Sequence, residues 1–122
     1  MEISDKEAPN TSVDDLHRIA KKDQDSVTSL YLKIGDNVYN RENLTSYRMH
    51  TSEFGVIFPK NAVFGVLELG PSKAVADGYY VITEPLAKGN YTIAYKSSLI
   101  CPGTDCMEPN FAQDVKYTII AK

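Results

Sequence analysis

The chain has no tryptophan, two cysteines and two histidines among its 122 residues, and these scarcities remove whole classes of function. A structural zinc site takes four Cys or His ligands in paired spacing, and Cys101, Cys106, His17 and His50 do not fall into that pattern. A blue-copper site needs two histidines, a cysteine and usually an axial methionine. Cys106 and Met107 are adjacent, but no histidine lies in that loop. A degenerate cupredoxin-like metal protein is thus only a remote reading, and no metal or cofactor is expected. No apolar run approaches the roughly 20 residues of a membrane-spanning helix. A glycine-rich phosphate loop and a Gly-x-Ser-x-Gly elbow are both missing, and no Ser-His-acid set is readable. The expectation is a protein that is not an enzyme.

Positive charge is also short. Thirteen basic residues face sixteen acidic ones, for a net charge of −3. Residues 1–26 carry seven acids and four bases, and the rest of the chain carries nine of each, so the body is neutral. A neutral body has no basic stripe for phosphates, which argues against nucleic acid and against an anionic membrane surface. Membrane insertion is not expected either.

What is present describes a folded domain. The length suits one core, and 43% apolar with 24% charged residues is ordinary for a globular chain. All twelve aromatic residues lie between Tyr31 and Tyr117. The composition therefore divides the chain into a polar head, 1–26, and a β domain, 27–122. Within the head, Ser12-Val13-Asp14-Asp15 looks like a helix N-cap, and Val13, Leu16, Ile19 and Ala20 follow at helical spacing. A short helix over 13–22 is expected, with a narrow apolar stripe that docks lightly.

From Val27 the apolar period becomes two. Leu30, Leu32 and Ile34 share a face, and Gly35-Asp36-Asn37 reads as a turn. A second strand is expected over Leu44–Met49. Phe54, Val56 and Phe58 alternate up to Pro59, which ends that strand. Residues 61–71 read as a short strand or packed loop. Ala74–Thr83 reads as a strand with a bulge at Asp77-Gly78. Tyr91, Ile93 and Tyr95 form one inward face, and Val115, Tyr117 and Ile119 another. This is the pattern of an all-β, immunoglobulin-like Greek-key β-sandwich of about seven strands, with a short N-terminal helix or flexible head.

One segment carries a mechanism of its own. In Pro85-Leu86-Ala87-Lys88-Gly89-Asn90-Tyr91-Thr92-Ile93, Pro85 stops a strand and Leu86 plugs the core end while the chain crosses between sheets. Gly89 frees the backbone for the reversal, and Tyr91 starts the next strand with its hydroxyl near the turn. This resembles the tyrosine corner of immunoglobulin-like sandwiches, although the Trp and the inter-sheet cysteine pair of true immunoglobulins are missing. The longer stretch from Ala74 to Ile93 resembles a group of uncharacterised secreted prokaryotic β-sandwich proteins. They share an Ala-Asp-Gly-aromatic strand followed by Pro-Leu-x-x-Gly-x-(His or Tyr)-Thr-Ile. Phe58-Pro59-Lys60-Asn61 fits a further habit of that group, and Tyr91 stands where many members have His. The resemblance implies export after removal of a signal peptide not present in this chain, a β-sandwich, and no activity.

Cys101 and Cys106 flank Pro102-Gly103-Thr104-Asp105, a spacing that suits a small disulfide-closed loop. Tyr31, Tyr39, Tyr47 and one of Tyr79 or Tyr80, with Tyr79 preferred, are candidates for an exposed ligand or partner surface, because neighbours alternate faces. Tyr91, Tyr95 and Tyr117 are expected in the core. Asn10, Asn43 and Asn90 begin glycosylation triplets. The leading expectation is a non-enzymatic extracellular or cell-envelope domain with an interaction or structural role, its partner a protein or a glycan. The alternative is a small-ligand binding module, with carbohydrate as the ligand.

Overall fold

The computed structural model describes residues 2–4, 11–59, 70–103, 106 and 109–122, with the side chains of 2–4 and 70 left aside. The fold is mostly β: the described residues form two antiparallel sheets, one long helix near the N-terminus and one four-residue helical turn. The all-β, sandwich-like class expected from the sequence holds.

In chain order the elements are β1 (Glu2–Ser4), α1 (Val13–Asp25), β2 (Val27–Ile34), β3 (Asn37–Asn40), α2 (Arg41–Leu44), a 3-10 turn (Thr45–Tyr47), β4 (Arg48–His50), β5 (Phe54–Phe58), β6 (Gly70–Tyr79), β7 (Gly89–Ile100) and β8 (Asn110–Ala121). Strand β6 is the spine of the smaller sheet. β1 lies along one edge of it, at Ala74–Ala76. β5 and β4 lie end to end along the other edge, at 70–74 and 77–79. Between them Thr51 replaces a ladder rung: its N–H donates to the Ala76 carbonyl, and its Oγ1 accepts from the Ala76 N–H. The larger sheet runs in the order β3-β2-β7-β8. Gly35 makes the β2–β3 turn possible, because its φ of 58° is left-handed backbone that side chains with a Cβ seldom adopt.

Helix α1 starts where the sequence places it. Ser12 Oγ accepts from the Asp15 N–H at 3.2 Å, satisfying one orphan donor of the first turn. The helix then runs three residues past the expected end. It also docks firmly, which corrects the reading of a narrow, lightly held stripe. Leu16 and Ala20 are buried against Val75 of β6, with Val13 and Ile19 packed around them. The compositional step near residue 26 thus runs through a continuous unit: the Ile100 N–H donates to the Ser26 carbonyl as the helix passes into β2.

Two strand readings need correction. Leu44–Met49 is not a strand; only Arg48–His50 is. Asn40 and Asn43 cap each other's backbone N–H groups, and the Thr45 and Ser46 hydroxyls donate to the Arg41 and Asn43 carbonyls. Local polar side chains offer the backbone a helical turn that competes with the ladder, and Leu44 anchors that turn in the core. The strand expected over Ala74–Thr83 starts earlier and ends at Tyr79, with no bulge at Asp77-Gly78. Asp77 and Gly78 pair regularly with His50 and Met49. Beyond Tyr79 the partner edge has become the 3-10 turn, so the last bond is Tyr80 N–H to the Tyr47 carbonyl, and the ladder stops. The segment expected to be a short strand or loop lies outside the described residues, except that Gly70 and Pro71 open β6.

Arg48 fastens this half together. Its Nε and Nη2 make a two-pronged pair with Asp77 at 2.9 Å each, and its Nη1 reaches Asp25 at 2.6 Å. Nη2 also donates to the Lys21 carbonyl, at the end of α1. Hydrogen bonds with Asp77, then with Asp25, hold the guanidinium well above its ordinary pKa. The Asp25 carboxyl is held below its usual range, first by Lys21 and then by Arg48.

Candidate functional site

The larger sheet has two unlike faces, and its register assigns every residue to one of them. Leu30, Leu32 and Ile34 of β2 stand opposite Ser97, Tyr95 and Ile93 of β7. On β7, Ile93, Tyr95 and Leu99 stand opposite Tyr117, Val115 and Phe111 of β8. One face is therefore almost entirely aliphatic and aromatic. The other carries Lys33, Lys96, Asp114 and Lys116, with Lys96 and Asp114 paired across β7 and β8 at 2.7 Å. Asp114 raises the Lys96 pKa by accepting that hydrogen bond.

No strand lies flat over the apolar face among the described residues. Tyr117 and Phe111 stay 46% and 44% exposed, and Leu30, Leu32, Ile93 and Tyr95 are only half-buried. The result is a cleft of about 680 Å³. Its floor is this face, and Tyr79, Tyr80 and Val81 form a wall where the chain leaves β6 and crosses to the larger sheet. Buried Leu44 and Val27 also line it. The volume lies within the roughly 300–1,000 Å³ of small-molecule sites, which are mostly apolar with a few placed polar groups. Those groups here are Gln24, Ser97 and Gln113; Lys96 and Ser98 also border the cleft, although register puts their side chains on the charged face. Gln113 Nε2 donates to Ser97 Oγ at 2.9 Å, which orients the amide on the floor. The lining holds no carboxylate, histidine or cysteine among the described residues, and its one amine, Lys96, is paired with Asp114.

The tyrosines singled out from sequence do not form one cluster. Tyr79 lines the cleft, but its neighbour Tyr80 is the more exposed of the two. Tyr39 and Tyr47 pack edge-to-face on each other, with ring centroids 6.1 Å apart. Tyr31 borders the cleft, yet register puts its side chain with Lys96 on the charged face. The aromatics that make the floor are Tyr95 and Tyr117, stacked edge-to-face at 6.3 Å, together with Phe111. The core position expected for Tyr95 and Tyr117 is corrected to this half-open floor. Alternation identifies their face, but it carries no information on whether another layer covers that face.

The corner has the expected hydrogen bond: Tyr91 Oη donates to the Ala87 carbonyl at 2.8 Å. The crossing between sheets falls where it was expected, between β6 and β7. Leu86 is half-buried there, and Gly89 opens β7 at a φ of 157°. Cys101 and Cys106 form a disulfide, with Cα atoms 6.2 Å apart, at the β7–β8 loop. The carboxylate of Asp23 on α1 lies within 4.8 Å of both sulfurs. Sulfurs bonded to each other offer no thiolate, so this trio is not a metal centre in the oxidised chain. Of the glycosylation asparagines, Asn43 is committed to the α2 cap, Asn90 is exposed, and Asn10 lies outside the described residues.

Comparison with protein families, curated proteins and solved structures returns no match.

Proposed function

We propose that this protein is a non-catalytic binding domain that works outside the cytoplasm and takes a small, neutral, largely apolar ligand in the cleft over its larger sheet. The observation that carries the reading is the apolar face of β2, β7 and β8, left half-open with a volume of about 680 Å³. Leaving so many large apolar side chains in contact with water costs about 25 cal/mol for each Å². A ligand with flat or aliphatic faces recovers that cost. Gln113, Ser97 and Gln24 supply one or two directional bonds. The one charged residue on the lining, Lys96, stands by register on the opposite face and is paired there with Asp114, which favours a neutral ligand over an ionic one. The Cys101–Cys106 disulfide supports an oxidising compartment, at the cell envelope or beyond it.

A carbohydrate is the second reading. The aromatic rings of Tyr95, Tyr117 and Tyr79 favour it, because sugar rings stack on tyrosine. The scarcity of polar groups on the floor ranks it below an apolar ligand. The test is the thermal midpoint against two panels, one of neutral apolar compounds and one of neutral glycans. A ligand at a hundred times its dissociation constant adds about 2.7 kcal/mol, a plain upward shift. A shift with the first panel supports the proposal, and a shift with the second alone replaces it with the sugar reading. The absence of a shift with either panel overturns both.

A further inference from the structure

The outer edge of β8 is the longest unpaired strand edge among the described residues, spanning Asn110–Ala121 at the end of its sheet. Its hydrogen-bonding parity can be read from one contact. The Cys101 N–H donates to the Pro109 carbonyl, so odd-numbered residues of β8 bond inward to β7. In an antiparallel ladder the alternate residues turn their N–H and C=O groups away. Asn110, Ala112, Asp114, Lys116, Thr118 and Ile120 therefore present theirs to the open side. The Gly35 N–H to Thr92 carbonyl bond on the far side of β7 obeys the same parity.

We propose that this edge pairs with the same edge of a second copy of the chain, in an antiparallel two-fold arrangement centred on Val115. The parity and the charges select that register. Even residues must face even residues. A pairing centred on Asp114 puts two carboxylates face to face, and one centred on Lys116 puts two ammonium groups face to face. The pairing centred on Val115 sets Asp114 opposite Lys116 twice, and it alone pairs all six outward-facing residues of the strand. Asp114 already holds Lys96 at 2.7 Å, so the join makes a row of alternating charge on one face: Lys96, Asp114, then Lys116 of the second copy. On the cleft face it sets Phe111 opposite Ile119 and Gln113 opposite Tyr117. Those contacts draw on the exposed apolar surface of Phe111 and Tyr117. Open edges are usually blunted by proline, bulges, brevity or charged side chains, lysine above all. This twelve-residue strand lacks the first three and pairs with β7 without a register break; its charges are Asp114 and Lys116, which this register sets opposite each other. The dimer would join the two four-stranded sheets into one and place the two clefts side by side.

The experiment is sedimentation equilibrium over a concentration series reaching the high micromolar range, on the full chain and three variants. The wild type is expected to dimerise. K116E sets a second carboxylate opposite Asp114 without touching the Lys96 pair, and should raise the dimer dissociation constant roughly tenfold or more. T118P removes an outward N–H and leaves the β7 ladder whole, so it should be monomeric. D114K should be weakened like K116E, and an equal mixture of K116E and D114K should form the mixed dimer, because each carboxylate then faces a lysine. Far-ultraviolet circular dichroism checks that each variant is folded. A wild type that stays monomeric throughout overturns the proposal. So does a dimer whose affinity is unchanged in K116E, or a mixture no tighter than either variant alone.

Discussion

The two halves of this molecule use the same kind of alternating strand and reach opposite ends. In the smaller half, β6 is covered: α1 lies on it, Leu16 and Ala20 meet Val75, and Arg48 clamps helix to strand through Asp77 and Asp25. In the larger half, β2, β7 and β8 present a face at least as apolar, and no layer of the described residues lies flat on it. The difference teaches that alternation specifies which side of a strand is apolar, whereas a core depends on what the rest of the chain brings to that side. A covered face becomes structural, and an uncovered one becomes a place to bind.

The contrast can be attacked most forcefully at the clamp. Replacing Arg48 by alanine leaves Asp77, which is nearly buried, without its two-pronged partner; the expected loss is about 3–5 kcal/mol, read from urea unfolding. Leu16→Ala empties the centre of the small core and should cost about 2–5 kcal/mol by the same assay. Reducing the Cys101–Cys106 bridge releases a short loop and should lower stability by about 2 kcal/mol, seen as a fall in midpoint on adding a thiol. Tyr117→Ser on the half-open floor should cost less than about 1 kcal/mol, because the ring already faces water on one side. If Tyr117→Ser costs as much as Leu16→Ala, the contrast between the halves is gone.

The smallest effect is that of pH. The folded Asp25 carboxyl sits below its unfolded value, with Lys21 the first cause and Arg48 the second. Its contribution is present above the ordinary aspartate pKa of about 3.9 and is lost as pH falls through the depressed folded value. The side chain is substantially exposed, so solvent screening keeps the contribution small. Acid titration of wild type against Asp25→Asn should show a slightly shallower loss in the variant below about pH 4.

Much of this fold is legible in the sequence because its signals are local. Ser12 caps α1 through a bond three residues away, Phe54, Val56 and Phe58 alternate within five residues, and Tyr91 bonds Ala87 within its own turn. The errors arise where a distant partner decides. Tyr80 to Thr83 is as strand-like as Val75 to Tyr79, but β4 gives way to the 3-10 turn and leaves it no ladder. The Arg48 clamp joins residues 23 and 29 positions apart in sequence, with no motif to announce it. The candidate site is half legible. Alternation puts Tyr95, Tyr117 and Ile93 on one face, but it cannot tell that face from a closed core. The tyrosines expected to be exposed do not share one surface: Tyr47 is exposed and packs edge-to-face on the half-buried Tyr39, and Tyr31 is half-buried on the charged side.

The most direct test of a binding face on the larger sheet is titration with N-phenyl-1-naphthylamine, a neutral fluorophore that brightens in apolar surroundings. It should be run on the wild type and on Ser97→Phe, which fills the cleft from its floor. The account predicts saturable binding of one molecule per chain in the wild type, abolished in a Ser97→Phe variant that remains folded. A wild type that gives no saturable signal, or a Ser97→Phe variant that binds as well as the wild type, would contradict it.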